Sequence, residues 1–268
     1  MDVNKVLYIS QEITPYLAAN PLSGFGRALP EGVQGKGTEV RTFMPRYGCI
    51  NERRHQLHEV IRLSGMNIII DDTDHPLIIK VATLQPSRMQ VYFIDNDDYF
   101  LRHATDGLET DTLFDENDER AIFFVRGVLE TVRKLRWIPS VIHCIGWISA
   151  LAPLYLKKVY ADDPSFADVK IVYSLYSQPF KGALNEAMGR KIVADEIAAD
   201  DIPHLDGPVS LADLHKTAID YADAVCISSG DIPDELVEYA RASGKPLLEY
   251  PGEDQGFPAA YKEFYLSL

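Results

Sequence analysis

The sequence predicts one doubly wound α/β domain over residues 1–268, a mostly parallel sheet with helices on both faces and an inserted β-hairpin region. Three observations lead there. Apolar runs rich in valine and isoleucine alternate with helical segments along most of the chain, which is the pattern of βαβ units. Several of these runs, such as Val6-Leu7-Tyr8-Ile9 and Val141-Ile142-His143-Cys144-Ile145, are apolar at nearly every position, as parallel strands buried on both faces must be. No stretch rich in glycine, proline or serine separates two cores, so 268 residues form one large domain rather than two small ones.

The elements follow in order. Lys5–Ser10 reads as a buried strand. A helix spans Pro21 to Gln34, with Asn20 as its N-cap and Pro21 in its first turn, and Gly35 and Gly37 end it. Glu39–Phe43 is the next strand. Val60–Leu63, Met66–Ile70, Leu77–Ala82 and Met89–Ile94 are short β-like runs broken by aspartate, proline and glycine, and these make the inserted hairpins. Ile122, Val125, Val128, Leu129, Val132 and Leu135 recur at helical spacing and end before Pro139. Strands at Val141–Ile145, Lys170–Leu175, Ala224–Ser228 and Pro246–Tyr250 alternate with helices at Ile148–Tyr160, Leu211–Tyr221 and Pro233–Ala242. The segment 181–208 is helical but irregular. Tyr261, Phe264, Tyr265 and Leu268 form one stripe of a terminal amphipathic helix over 258–268, expected to dock on the domain.

Composition excludes several classes. A net charge of −14 repels nucleic acid and anionic lipid, and the one dense basic run, Arg133-Lys134-x-Arg136, sits at a helix end where cations complement the dipole. Three widely spaced cysteines without a CxxC pair give neither a disulfide framework nor a zinc site. His55-x-x-His58 is the closest histidine pair and lacks further ligands, so no metal and no cofactor is expected. There is no signal peptide and no apolar run long enough to span a membrane, which places the protein in the cytoplasm.

In a doubly wound sheet ligands sit beyond the carboxyl ends of the strands, so the loops after each strand hold the informative positions. Gly24-Phe25-Gly26 hints at a dinucleotide fingerprint, but Leu29 stands where the third glycine belongs, and the glycines lie inside the helix, out of a phosphate's reach; they read as small residues at a helix–sheet contact. Ser228-Ser229-Gly230 starts a turn into a helix and reads as capping, with Asp231 and Asp234 as cap and first-turn acids. Asp95-Asn96-Asp97-Asp98 does not match a calcium loop and reads as an exposed turn. His143 lies within a buried strand and reads as a core histidine. These residues alone assemble no catalytic constellation.

Several segments, in order, resemble the glycogen/starch synthases, ADP-glucose-dependent glucosyltransferases of GT-B architecture. Lys5 to Ser10 with Glu12, Pro15 and Ala28-Leu29-Pro30 is similar to their first strand and helix, and Val40-Arg41 through Pro45-Arg46-Tyr47-Gly48 to their "V-R … P-R-Y-G" loop. Val91 to Asn96 with Tyr99-Phe100, then Asp118-Glu119-Arg120 with Val141-Ile142-His143, Trp147, Ala150-Leu151 and Pro153-x-Tyr155-Leu156-Lys157, and finally Asp220 to Val225 complete the similarity. It runs from about Val3 to Ser229. The resemblance implies the Rossmann-like N-terminal domain of a GT-B enzyme, with no second GT-B domain in this chain. In such enzymes the glucan binds mainly this half and the nucleotide mainly the other, and the protein partners this implies are a separate GT-B C-terminal chain or a second copy in a homo-oligomer.

The resemblance also marks departures. The family's Lys-Thr-Gly-Gly-Leu loop, whose lysine and amides hold the departing diphosphate, is Ala18-Ala19-Asn20-Pro21-Leu22 here. Its His-x-His-Asp-Trp-His is His143-Cys144-Ile145-Gly146-Trp147-Ile148, and its Thr-Ile-His-Asn is Ser174-Leu175-Tyr176-Ser177. The donor-site positions Ala18, Asn20, Pro21, Gly146, Ile148, Tyr176 and Ser177 are thus substituted and no catalytic set is kept, while Glu12, Arg46, Tyr47, Asp95, Asn96, His143 and Trp147 stay as cleft residues. Two functions stand open: a non-catalytic protein that binds α-glucan or ADP-glucose, or half of an active hexosyltransferase completed by a separate chain.

Overall fold

The computed structural model describes residues 3–35, 37–101, 114–180, 182–254 and 256–268. Its strands are β1 (Lys5–Ser10), β2 (Glu39–Pro45), β3 (His58–Glu59), β4 (Met66–Ile70), β5 (Thr73–Leu84), β6 (Met89–Asp95), β7 (Val141–Ile145), β8 (Lys170–Leu175), β9 (Ala224–Ile227) and β10 (Leu247–Leu248). The helices are α1 (Pro21–Val33), α2 (Glu52–His55), α3 (Asn117–Leu135), α4 (Ala152–Lys158), α5 (Met188–Val193), α6 (Leu211–Tyr221), α7 (Asp234–Ala242) and α8 (Phe257–Ser267). The strands form a mixed sheet in the order β10-β9-β8-β7-β1-β2-β6-β5-β3, with β4 paired to β5. Every pairing from β10 to β6 is parallel, and the pairings of β5 with β6, β3 and β4 are antiparallel. The expected parallel sheet with inserted hairpins is therefore the fold.

Strand order reverses at β1. The chain first winds outward to β2 and β6, then returns to the other flank of β1 as β7, β8, β9 and β10. Such a switch point opens a crevice above the carboxyl ends of the two central strands. Alternation in β8 shows which helices cover which face. Tyr173 bonds His215 of α6 at 2.9 Å, while the next residue, Ser174, points oppositely to His143 and Ser228 under α8. Helices α1 and α8 pack together over that second face, and α3, α4 and α6 cover the first.

Local chemistry sets α1 as expected. Asn20 caps it, its side chain accepting from Ser23 N at 2.7 Å, while Ser23 Oγ accepts from Asn20 N at 3.0 Å, and Pro21 opens the first turn. A Cβ on Gly26 would run into the Glu12 carbonyl, so that glycine serves close packing, in line with the helix–sheet reading.

Four expectations are corrected. Val60–Leu63 is a turn, because Leu63 N and Ser64 N both bond back to the Val60 carbonyl; Ile61 faces solvent and the strand is the preceding His58–Glu59. Ile148–Tyr160 is not one helix. A 3₁₀ turn, Trp147–Ser149, precedes α4, which starts afresh at Ala152 with Pro153 in its first turn. Asp95-Asn96-Asp97-Asp98 is exposed only in its second half; Asp95 and Asn96 are buried and a π-helical turn, Asp97–Leu101, follows. Ser229 and Asp231 cap nothing: Pro233 stands at the N-cap of α7, and Ser229 Oγ instead accepts from Ser177 N at 2.8 Å. Of 181–208, residue 181 lies outside the described residues, and the rest holds α5 and a 3₁₀ turn, Ala199–Asp201.

Candidate functional site

The loops after β1, β2, β7 and β8 meet over the switch point and are laced by two glutamines. Gln11 leaves β1 with its Oε1 accepting from Gln178 Nε2 at 2.7 Å, and Gln178 Oε1 accepts from Trp147 N at 2.9 Å. Tyr47 donates to the Gln11 carbonyl at 3.2 Å. Glu12 is nearly buried and accepts from Asn20 Nδ2 at 2.6 Å and Gln11 Nε2 at 3.3 Å, which ties the first loop to the N-cap of α1. Sequence reading passed over Gln11 and Gln178; the available signal was their position, each just after a buried strand.

Of the positions marked as substituted, Ala18 and Pro21 are exposed, and Pro21, Tyr176 and Ser177 come together. Pro21 brings no N–H and the Ser23 N–H is taken by Asn20, so the first turn of α1 has little left with which to hold an anion. Gly146 is buried against Gln11, and Ile148 is fully buried. Trp147 is core as well, edge-on to Phe180 at 6.2 Å.

His143 is likewise a buried core residue. Its Nδ1 lies 2.5 Å from Tyr265 Oη and its Nε2 2.5 Å from Ser174 Oγ. Ser228 donates to Ser174 at 2.8 Å and Tyr261 to Ser228 at 2.9 Å, so α8 completes a closed polar chain. Burial pushes the His143 pKa down to about 3, which keeps the imidazole neutral.

The other cleft residues form a separate bank. Arg46 pairs with Glu52 at 2.5 Å and with Asp95 at 3.4 Å, and Lys80 pairs with Glu52 at 2.7 Å and Asp95 at 2.8 Å. Burial raises the Asp95 pKa against the pull of both cations; at Glu52 burial is outweighed by Lys80 and Arg46 and the pKa falls. Asn96 is structural, its Oδ1 accepting from Asp98 N and Tyr99 N and its Nδ2 donating to the Pro76 carbonyl. Among the described residues no three His, Cys, Asp or Glu side chains are grouped to hold a metal.

Two cavities adjoin at the α1 end. One, of about 180 Å³, is walled by Phe25, Ala28 and Phe257; the other, of about 490 Å³, by Ser177, Ser229, Asp231 and Tyr250. Pro21, Tyr176 and Glu253 line both. No lysine or arginine lines either among the described residues.

Comparison with known proteins places this geometry. The sequence model described as the starch synthase catalytic domain matches residues 5–248. The chain belongs to that family. It is 37% identical over 237 residues to the glycogen synthase of Chlorobium limicola, covering 87% of this chain and 47% of that protein. It is 34% identical over 265 residues to the glycogen synthase of Chlorobaculum tepidum, covering 97% and 51%. The chain spans about half the length of the curated relatives it matches. Its fold matches the catalytic domain of starch synthase IV from Arabidopsis thaliana, solved with ADP and acarbose, with a TM-score of 0.74 at 17% identity over 95% of this chain and 52% of that one. It is thus a glycogen-synthase-like N-terminal domain. No helix among its described residues is long and apolar enough to cross a membrane.

Within this starch synthase-like domain, Gly146 sets the seam between the β1 and β7 loops. Its φ is +90° and its ψ 159°, a region essentially closed to other residues, and an added Cβ would stand 2.6 Å from Gln11 Cβ. Gly146→Ala is expected to cost about 2–3 kcal/mol and to lower the melting temperature by roughly 5 °C or more. A melting curve that superimposes on the parent's would refute this account of the seam.

Proposed function

We propose that the chain is a non-catalytic, cytoplasmic relative of glycogen synthase that binds an α-glucan or a sugar nucleotide, apart from nucleic acid and membranes. The observation that carries this reading is the state of the α1 end of the crevice. Glucosyl transfer from a nucleotide sugar builds negative charge on the departing diphosphate, and catalysis needs preorganised donors and positive charge there. Ala18 is uncharged, Pro21 has no N–H, the Ser23 N–H is used in capping, and the adjoining cavities carry Glu253 and Asp231 without a cation. Loss of one such donor costs about two to three orders of magnitude in rate, and several are missing.

The test uses labelled ADP-glucose with glycogen as acceptor. No label is expected to enter glycogen, whether the 268-residue chain is alone or is supplemented with the unmatched second half of the Chlorobium limicola relative. Calorimetry on the same chain is expected to detect binding of maltoheptaose or of ADP-glucose. Incorporation that unfolding the chain abolishes would overturn the non-catalytic reading in favour of half an active transferase.

A further inference from the structure

The geometry points to a site for a small organic cation, a quaternary or methylated ammonium group, in the 180 Å³ cavity between α1 and α8, with the rest of the ligand in the adjoining cavity. This site is independent of the glucan or sugar-nucleotide reading, because neither of those ligands is a cation.

Three aromatic rings from distant parts of the chain wall this cavity: Phe25 of α1, Tyr176 just after β8, and Phe257 at the start of α8. Phe25 joins the other two. Its ring centroid lies 5.3 Å from that of Tyr176, tilted by 41°, and 5.6 Å from that of Phe257, at an interplanar angle of 18°. Buried Tyr261 packs edge-on against both phenylalanines, at 5.8 and 6.0 Å, so the rings are held in place before any ligand arrives. On the α1 side a Cβ added to Gly24 would meet nothing within 4 Å, so the cavity stays open there. A volume of 180 Å³ is the liquid share of about six waters, room for a trimethylammonium head and too little for a drug-sized ligand.

Charge sets the sign of the ligand. Glu253 lines both cavities and Asp231 the larger one, and neither is in an ion pair among the described residues. Their field reaches the rings: the Tyr176 pKa is pushed up to about 12, first by burial and then by Glu253, Tyr250 and Asp231. No lysine or arginine lines either cavity among the described residues, so the counter-charge comes with the ligand, and the net charge of −14 favours its approach. The rings decide which cation it is. A metal ion needs several oxygen, nitrogen or sulfur ligands, and no three His, Cys, Asp or Glu side chains are grouped to supply them among the described residues. A primary ammonium brings three N–H donors, more than an aromatic wall can satisfy. An alkylated nitrogen instead turns methyl groups to the apolar walls and its charge to the ring faces, whose quadrupoles attract a cation within about 6 Å of the centroid.

Choline tests the site against its uncharged isostere, 3,3-dimethylbutanol. Binding to the 268-residue chain is followed by calorimetry and by broadening of the methyl proton resonances of each probe. Choline is expected to bind saturably and roughly tenfold or more tightly than the alcohol. Glu253→Gln, and Phe257→Leu, which keeps apolar bulk and removes the ring, are each expected to weaken choline about tenfold. Glu253 is exposed, so its variant keeps the fold even where Phe257→Leu does not. Gly24→Leu fills the cavity without altering a ring or a charge, and is expected to abolish binding without lowering the melting temperature, leucine being the better helix former. Equal affinity for choline and the alcohol would leave an apolar pocket only and overturn the assignment. Choline binding that all three variants leave unchanged would overturn it too, as would the lack of any saturable choline signal in the parent. All of these outcomes leave the glycogen and ADP-glucose tests untouched.

Discussion

Removing residues 258–268 is expected to lower the melting temperature by roughly 10 °C, the largest effect of any change at the chain's periphery. Helix α8 buries Tyr261 and Tyr265 almost completely against the sheet, and its Phe264 and Leu268 pack at the edge of the core. Two large side chains each stabilise by about 1.5–3 kcal/mol on burial, and in a domain of this size 1 kcal/mol is worth about 2–4 °C. The polar chain adds to this. Without α8, His143 loses Tyr265, Ser228 loses Tyr261, and Tyr8 Oη loses its 3.2 Å contact with Tyr265. Tyr265→Phe separates the two contributions, because it keeps the ring and removes the hydroxyl that His143 and Tyr8 share. It is expected to cost about 1–3 kcal/mol, the toll of leaving a buried partner unsatisfied. A truncated chain that melts with the parent would show that α8 contributes nothing by docking.

What could be read from the sequence was whatever is encoded by neighbours. Asn20-Pro21 announces the start of α1 because the cap and the first turn are made within four residues. The runs in β1 and β7 announce buried parallel strands because both faces of each are apolar. The stripe Tyr261, Phe264, Tyr265 and Leu268 announces a docked helix, but not what it docks on: His143 and its hydroxyl partners are more than thirty residues apart along the chain at every link to it. The same distance hid the burial of Asp95, whose partners Arg46 and Lys80 come from the end of β2 and from an antiparallel hairpin strand. It also hid the seam between Gln11 and Gln178, whose side chains meet only because β1 and β8 flank β7. Val60–Leu63 failed for the opposite reason: three apolar residues around Arg62 fit a short strand, and only the hydrogen bonds closing back on Val60 turn them into a loop. The substitutions at Ala18 and Pro21 were visible as departures from a family pattern, while the cavity that Pro21 borders was not, because Tyr250 and Glu253 reach it from a segment far along the chain from Pro21 and Tyr176.

Replacing Lys191 is expected to be the most damaging single substitution outside the sheet, and its cost should depend on pH. Lys191 in α5 is nearly buried and pairs at 2.6 Å with Asp118 and at 2.7 Å with Glu119, both in the first turn of α3. Asp118 has no exposed side-chain surface, and its Oδ1 has no hydrogen-bond partner among the described residues. Burial raises its pKa above the ordinary 3.8, although Lys191 pulls it the other way. Glu119 is the less buried partner: burial is outweighed there by Lys191 and by Tyr99, whose hydroxyl donates at 2.6 Å, and its pKa falls. Lys191→Met keeps the apolar stem and removes the charge. Breaking a buried pair leaves an uncompensated ion and costs about 3–5 kcal/mol, roughly 10 °C of melting temperature. An acid whose folded pKa is raised binds more protons folded than unfolded, so its contribution to stability is lost as pH rises through that pKa. Without Lys191 the Asp118 pKa climbs further, and the penalty is full at neutral pH and shrinks as acid neutralises the carboxyl. The difference between parent and variant, measured by denaturant unfolding, is therefore expected to be larger at pH 7 than at pH 5. Adding Asp118→Asn should recover at least half of the loss at pH 7 and flatten the pH dependence. A variant within 0.5 kcal/mol of the parent, the ordinary range for surface substitutions, or a loss that stays constant across this pH range, would mean that Lys191 does not compensate a buried charge.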